Sequence, residues 1–464
     1  MKRMRKVLST LAAAALCLGL AACSGGSGPN ATPAPKQSQP AQADAGKPIE
    51  VVFWHCFEGV NGDAINALID QYNAGRGAEK GIHVESVFQD YDQMDKLELA
   101  YQTHDTANAC DLIQPLASQI PDMMSMDWTV SAAKYLARAD SELSLDSFYG
   151  PLQRACTYMG EMCAIPFANS TILCYYNQDA LADAGLDAAP DTLDGILQAM
   201  PKLVQKDAAG NVTRYGLTCE TMRYEMVNFC VSQDPGFFFG DNEGGRTAPM
   251  TRITAGEDGS MKAFLTKWEQ LVQTGGLRYS ADNPKEEFAQ GLTAMTLLSS
   301  SKIGAIRELV GDSFPWMTAP LPKVNADDTS GASLGGSCLM MVDRGDQARI
   351  DATWDFLEFL SAPESQMSFS TATGYIPVNV GTEALPEMQK FYQENPYYLT
   401  ALNQMKASDP MAQEPFDLVT DAIDTVIDDT MIEFCQGSLS ADETVEQIVS
   451  ECNALLDEYH EANS

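Results

Sequence analysis

Between Ile49 and Ile113 the apolar pattern alternates between two periods. Ile49-Glu50-Val51-Val52-Phe53-Trp54 is a short, nearly continuous apolar run, which predicts a buried strand. From Asp63 to Tyr72 the apolar residues Ile65, Leu68, Ile69 and Tyr72 recur at helical spacing, and Gly75 and Gly77 follow as stop signals. Ile82 to Phe88 alternates as a second strand. Met94 to Thr103 returns to the helical period, and Asp111-Leu112-Ile113 makes a third strand. Strand, helix, strand, helix, strand implies a parallel sheet with both faces covered. Ligands of such sheets sit outside the carboxyl ends of the strands. That rule directs attention to Trp54-His55-Cys56-Phe57-Glu58-Gly59 and to Asp90-Tyr91.

A second α/β pattern starts near Ser170. Ile172 to Tyr176 reads as a strand, Asn177 to Ala184 as a short helix closed by Gly185, and Thr192 to Leu203 as a helix capped by Thr192 or Asp191. Asp207-Ala208-Ala209-Gly210-Asn211 is turn chemistry. Helical patterns follow at Met261–Thr274, Glu286–Gln290, Trp354–Leu360, Asp424–Phe434 and Ala441–Glu461. No internal repeat is present. After residues 1–22 are set aside, the remaining chain exceeds what one hydrophobic core holds, so two lobes are expected.

The N-terminus follows another pattern. Lys2, Arg3, Arg5 and Lys6 precede an apolar stretch, Val7 to Leu20, and then Leu20-Ala21-Ala22-Cys23. These are the parts of a secretory signal, and the stretch is short for a spanning helix. A cysteine directly after Leu-Ala-Ala resembles the bacterial lipobox. That resemblance implies a signal peptide over 1–22, a lipid on Cys23 and attachment to the extracytoplasmic face of the cell membrane. An ordinary signal with a chance cysteine is the plainer alternative. Ser24 to Lys47 is rich in Ser, Gly, Pro, Ala and Gln, so 23–47 is expected to be an anchor and flexible linker.

Charge and chemistry narrow the function. The chain carries a formal net charge of −35, which repels nucleic acid and otherwise reads as solubility. Ten cysteines follow Cys23 without metal-ligand spacing. Cys156 and Cys163 flank a possible hairpin and read equally as a cross-strand bridge or as buried thiols. The four histidines, 55, 83, 104 and 460, include no pair at ligand spacing, and the P-loop, zincin and nucleophile-elbow motifs are missing. The sequence therefore favours binding over catalysis, with no metal and no cofactor. Trp54 reads as core, His55 and Glu58 as cleft-edge candidates, and Arg307 as a helix-surface residue in a block near the ligand.

Several blocks then fall in a recognisable order: Phe53–Gly59; Pro166–Thr171 running into Tyr175–Leu181 and Ala184-Gly185-Leu186; Phe288–Gly291 with Ala294-Met295-Thr296; Ser299-Ser300 and Ile306-Arg307-Glu308; Gly335-Gly336; Phe359–Glu364; and Thr373–Val378. This order resembles the extracellular solute-binding proteins of sugar-type ABC importers, most nearly their glycerol-3-phosphate-binding branch, over residues 48–460. The resemblance implies a two-lobe α/β fold of the periplasmic-binding-protein kind (type II) with the ligand cleft between lobes. Lobe one should be 48–169 with 337–378, and lobe two 170–336 with 379–464. It implies a monomer that takes a sugar, polyol or glycerophosphate, docks on an ABC permease and catalyses nothing. By motif position, Tyr91, Ser170, Ser299, Gly336 and Tyr375 are the ligand-contact candidates.

Departures from that branch matter as much. Leu193 stands where the branch has a tryptophan and Ala117 where it has a glutamate. Counting back from Gly437 puts Asp424 where it has a ligand-holding arginine. A carboxylate facing a phosphate repels it, so a neutral sugar or polyol fits better than glycerol-3-phosphate. A glycerophosphodiester fits if another basic group serves. The rival of a different class is a surface-tethered hydrolase.

Overall fold

The computed structural model describes residues 46–90, 92–279 and 283–463. Cys23, the signal segment, most of the linker and Tyr91 therefore lie outside the described residues.

The strands of the body form two main sheets. In the first the order is Ile82–Phe88, Ile49–His55, Leu112–Ile113, Gly335–Val342, Thr129–Val130, with Ile165–Ser170 also paired to Gly335–Val342. The first three strands are parallel, as their alternation with helices predicts. Gly335–Val342 joins antiparallel, so the sheet is mixed and not purely parallel. That strand returns from the second half of the chain, which the local pattern of residues 49–113 cannot reveal. Val51 and Phe53 are fully buried, and Trp54 lies in the same core. The helix Gly59–Ala74 turns Ile65, Leu68, Ile69 and Tyr72 inward, as their spacing predicts. Gly75 ends it, but another short helix, Arg76–Lys80, follows. Arg76 there reaches Asp355 at 2.9 Å and Glu358 at 3.0 Å.

The second sheet runs Leu277–Arg278, Val212–Thr218, Thr293–Ser299, Ile172–Asn177, Trp316–Pro320. Val212–Thr218 lies parallel to both Leu277–Arg278 and Thr293–Ser299. The helix Leu193–Leu203 begins where its cap predicts: Thr192 Oγ1 accepts from the Gly195 N–H at 3.0 Å. It buries Leu193, Ile196, Ala199, Met200 and Leu203. Leu193 is thus a core residue and does not stand in for a cleft tryptophan.

The chain crosses between the sheets at Ser170-Thr171, since Ile165–Ser170 belongs to the first and Ile172–Asn177 to the second. Asn169 ties the crossing together. It is the register partner of Gly336, and its carbonyl accepts from the Ile376 N–H at 2.9 Å. Gly336 has φ +98°, and a Cβ there would meet the Ala168 carbonyl oxygen at 2.2 Å. Strand packing alone therefore requires glycine at this position.

Cys156 and Cys163 do flank a hairpin, Thr157–Tyr158 with Glu161–Met162, but both are free, as are all cysteines among the described residues. They meet through the main chain, Cys163 N–H donating to the Cys156 carbonyl at 3.0 Å. The Cys163 thiol turns to the Glu161 carbonyl at 3.2 Å, and burial pushes it up to about 11. No helix among the described residues is long and apolar enough to cross a membrane.

Candidate functional site

A cleft of about 340 Å³ opens between the two sheets. The strand ends Ile49–His55 and Leu112–Ile113 supply Cys56, Gln114, Leu116 and Ser118 from one side. Val212–Thr218 and Thr293–Ser299 supply Met222, Arg223, Tyr224, Ser299, Ser301 and Lys302 from the other. These are the carboxyl ends of strands that run parallel to a neighbour, where backbone and loop groups converge on a ligand. The crossing contributes Ser170, Gly336 and Ser337, and the helix Thr420–Cys435 contributes Asp424 and Asp428.

Of the residues singled out by motif, Ser170, Ser299, Gly336, Tyr375 and Asp424 all line this cleft. Tyr375 lies flat on Phe369, ring centroids 5.5 Å apart and planes within 5°, so one aromatic face is already covered. Ser299 caps the turn that follows its strand, its Oγ 2.9 Å from that of Ser301. His55 is not at the cleft edge. It is buried, its ring pairs with Ser86 Oγ at 2.9 Å, and burial pulls it down to about 4, so it is neutral. Glu58 occupies the exposed N-cap position of Gly59–Ala74 and does not line the cleft. The Arg307 guanidinium lies over the Tyr398 ring at 5.7 Å, away from the cleft.

The residues that motif reasoning missed carry the charge. Arg223 is 7% exposed and is held on two sides. Its Nη2 donates to Asp417 Oδ2 at 2.6 Å, and its Nε pairs with Asp424 Oδ1 at 3.0 Å. Its backbone N–H donates to Asp428 Oδ1 at 2.9 Å, so Asp428 also satisfies an orphan donor of the helix Arg223–Val231. Asp424 does face the cleft, but as the partner of an arginine and not as a bare carboxylate. Burial raises it to about 6 against the pull of Arg223, with Asp417 and Asp428 adding repulsion. Glu414 is raised further, to about 7, again by burial first, with Arg223 opposing and Asp424 adding to it. The signal for Arg223 was present in sequence. Applying the strand-end rule to Val212–Thr218 leads directly to residues 219–224.

The opposite wall is neutral and built by hydrogen bonds. Gln114 Nε2 donates to Ser337 Oγ at 2.6 Å, while Gln114 Oε1 accepts from the Cys56 N–H at 3.1 Å. Ala117, where a glutamate was expected, sits between the lining residues Leu116 and Ser118. Together the walls offer hydroxyls, an amide and carboxylates around a space of small-ligand size. No group of three or more His, Cys, Asp or Glu among the described residues is arranged to hold a metal.

Known proteins with this architecture match closely in extent. A model of the bacterial extracellular solute-binding protein family matches residues 67–400. The sn-glycerol-3-phosphate-binding periplasmic protein UgpB of Escherichia coli (strain K12) is 26% identical over 367 residues, covering 78% of this chain and 81% of that protein. The UgpB of Pectobacterium atrosepticum is 25% identical over 430 residues, covering 90% of this chain and 94% of its own. Among solved structures, the cyclic alpha-maltosyl-1,6-maltose binding protein of Arthrobacter globiformis superposes with a TM-score of 0.72 at 20% identity, over 89% of this chain and all of that one. UgpB of Mycobacterium tuberculosis in complex with glycerophosphocholine gives 0.72 at 18%, over 90% and 100%. Those likenesses establish the two-lobe periplasmic-binding fold.

Proposed function

The chain belongs to the bacterial extracellular solute-binding family, and from that premise we propose that it is a lipid-anchored receptor that captures a neutral sugar or polyol. As a member it is the solute-binding component of an ABC importer. The observation that carries the choice of ligand is the state of Arg223. It is the cleft's buried cation, and Asp417 and Asp424 already neutralise it. A hydroxyl-rich solute needs no free cation. It donates to Asp424 and Glu414 and accepts from Ser170, Ser299, Gln114 and the tyrosine hydroxyls. Tyr91, outside the described residues, is proposed to complete the contact set with Tyr375. Closing the lobes around such a solute shifts an open–closed population, and a permease reads the closed form. Binding, with no turnover, is the proposed activity.

The test is a thermal-shift and calorimetry panel of sugars, polyols and glycerophosphates. A raised melting temperature with a neutral member supports the reading. A flat response across the panel, or turnover of a chromogenic glycoside or phosphodiester by purified protein, sinks it.

A second reading has one observation in its favour. Lys302, exposed beside Ser299 and Ser301, places a cation at another corner of the cleft. A singly charged glycerophosphodiester could use that corner. The anchor is proposed at Cys23. Cys23→Ser is expected to move the protein from the membrane fraction to the soluble one, and an unchanged membrane fraction would remove Cys23 from the account.

A further inference from the structure

Three carboxylates line the cleft, and two of them have partners. Asp424 pairs with Arg223, and Asp428 accepts from the Arg223 N–H. Glu414 is the third, and its carboxylate has no hydrogen-bond or ion-pair partner among the described residues. Its position is nevertheless tightly set. The Arg246 Nη1 donates to the Glu414 carbonyl at 2.5 Å, and the same guanidinium lies 3.9 Å from the centre of the Phe416 ring. Behind them, residues 242–245 form a left-handed turn, with Asn242 at φ +55° and Glu243 at φ +56°. A Cβ on Gly245 would come within 2.0 Å of the Phe416 carbonyl oxygen, so glycine is required where this turn supports the Glu414–Phe416 segment.

The carboxylate lies next to the crossing. A Cβ on Gly335 would meet Tyr224 Oη at 2.7 Å and Glu414 Oε1 at 2.8 Å. A phenol and a carboxylate therefore close on the strand that floors the cleft. This puts an acceptor with free lone pairs where a solute hydroxyl would lie, and a negative charge where a solute oxyanion would lie.

We propose that Glu414 is a specificity-determining residue of the cleft, accepting hydrogen bonds from solute hydroxyls and rejecting phosphomonoesters by like charge. The inference rests on the reading of the cleft as a solute site. Rejection needs a local cause because the chain's overall charge acts on every surface alike, and salt screens it. Arg223 cannot offset the repulsion. Freeing it for a phosphate would leave Asp417, which is fully buried, as an uncompensated charge. The acids and bases facing Glu414 are Arg223 and Asp424 beside it, Asp417 on its own segment, Arg246 behind it and Tyr224 from the helix Arg223–Val231.

The experiment is calorimetric titration of the full chain with sn-glycerol-3-phosphate, glycerol and maltose as probes at pH 8, on wild type and Glu414→Gln. Glu414→Met, similar in shape and uncharged, serves if the glutamine variant does not fold. The expected result is weak or undetectable glycerol-3-phosphate binding by wild type and a gain of about tenfold or more in the uncharged variant, the size of one close charge removed. Either of two results overturns the inference: tight glycerol-3-phosphate binding by wild type, or no gain in folded variants. The neutral probes report separately on the proposed function. If neither binds and the wider sugar and polyol panel is also flat, the sugar-or-polyol reading fails, while the glycerol-3-phosphate comparison still decides the role of Glu414.

Discussion

The two walls of the cleft are built on different principles. The wall from the first sheet is neutral, with Gln114, Ser337, Cys56 and Tyr375 placed by hydrogen bonds and ring stacking. The facing wall is ionic, with Arg223 at its centre and Asp417, Asp424, Asp428 and Glu414 around it. Each neutral contact contributes about 1 kcal/mol and can be lost singly. The ions depend on one another, because removing one strands the rest in a poorly solvated place. We propose that the neutral wall orients the solute and the ionic wall discriminates against charged ones.

The largest expected effect comes from Arg223→Ala. It leaves Asp417 buried without its cation and should cost about 3–5 kcal/mol of stability, read by denaturant unfolding. A loss no larger than that of a surface substitution would show that the ionic wall is not coupled in this way. Next is Asp424→Arg, which turns an acceptor into a cation beside Arg223. Glycerol-3-phosphate should bind the variant about tenfold or more tightly than it binds wild type, and a neutral sugar less tightly, as calorimetry reads directly. If a neutral solute gained instead, the charge assignment of the two walls would be reversed.

The ionic wall should also respond to pH where the neutral wall does not. Asp424 and Glu414 have folded values of about 6 and about 7, above their ordinary carboxylate range. A raised folded value gives stability that is full below the unfolded value and is lost as pH rises through the folded one. The melting temperature should therefore fall from roughly pH 5 to roughly pH 8, and Glu414→Gln should flatten the slope. His55, pulled down to about 4, acts oppositely, and its contribution is lost as pH falls from its ordinary value toward that point. The smallest effect is expected on the neutral wall. Gln114→Ala removes the link between Ser337 and Cys56 and should cost about 1–2 kcal/mol with no change in pH dependence.

The sequence made the neutral framework far more legible than the ionic one. A continuous apolar run marked the strand Ile49–His55, and periodicity found Gly59–Ala74 and Leu193–Leu203 because one buried face imposes a period on each helix. It missed the antiparallel entry of Gly335–Val342, which depends on pairing across more than two hundred residues. At the site, motif order led to Ser170, Ser299, Gly336 and Tyr375, and counting back from Gly437 to Asp424, all of which line one cleft. Arg223 escaped because the strand that leads to it, Val212–Thr218, buries only its last three residues and carries a weak pattern. Glu414 escaped because acids are abundant along this chain, 64 in all, and no local pattern tells a cleft carboxylate from a solvated one. The pairing of Asp424 with Arg223 joins residues two hundred positions apart, so counting from Gly437 could reveal the acid but not its partner.

The most direct measurement is native mass spectrometry of protein purified under non-denaturing conditions, with any released small molecule identified by accurate mass. The account predicts a phosphorus-free, hydroxyl-rich compound bound one to one. A bound phosphomonoester such as glycerol-3-phosphate would contradict it.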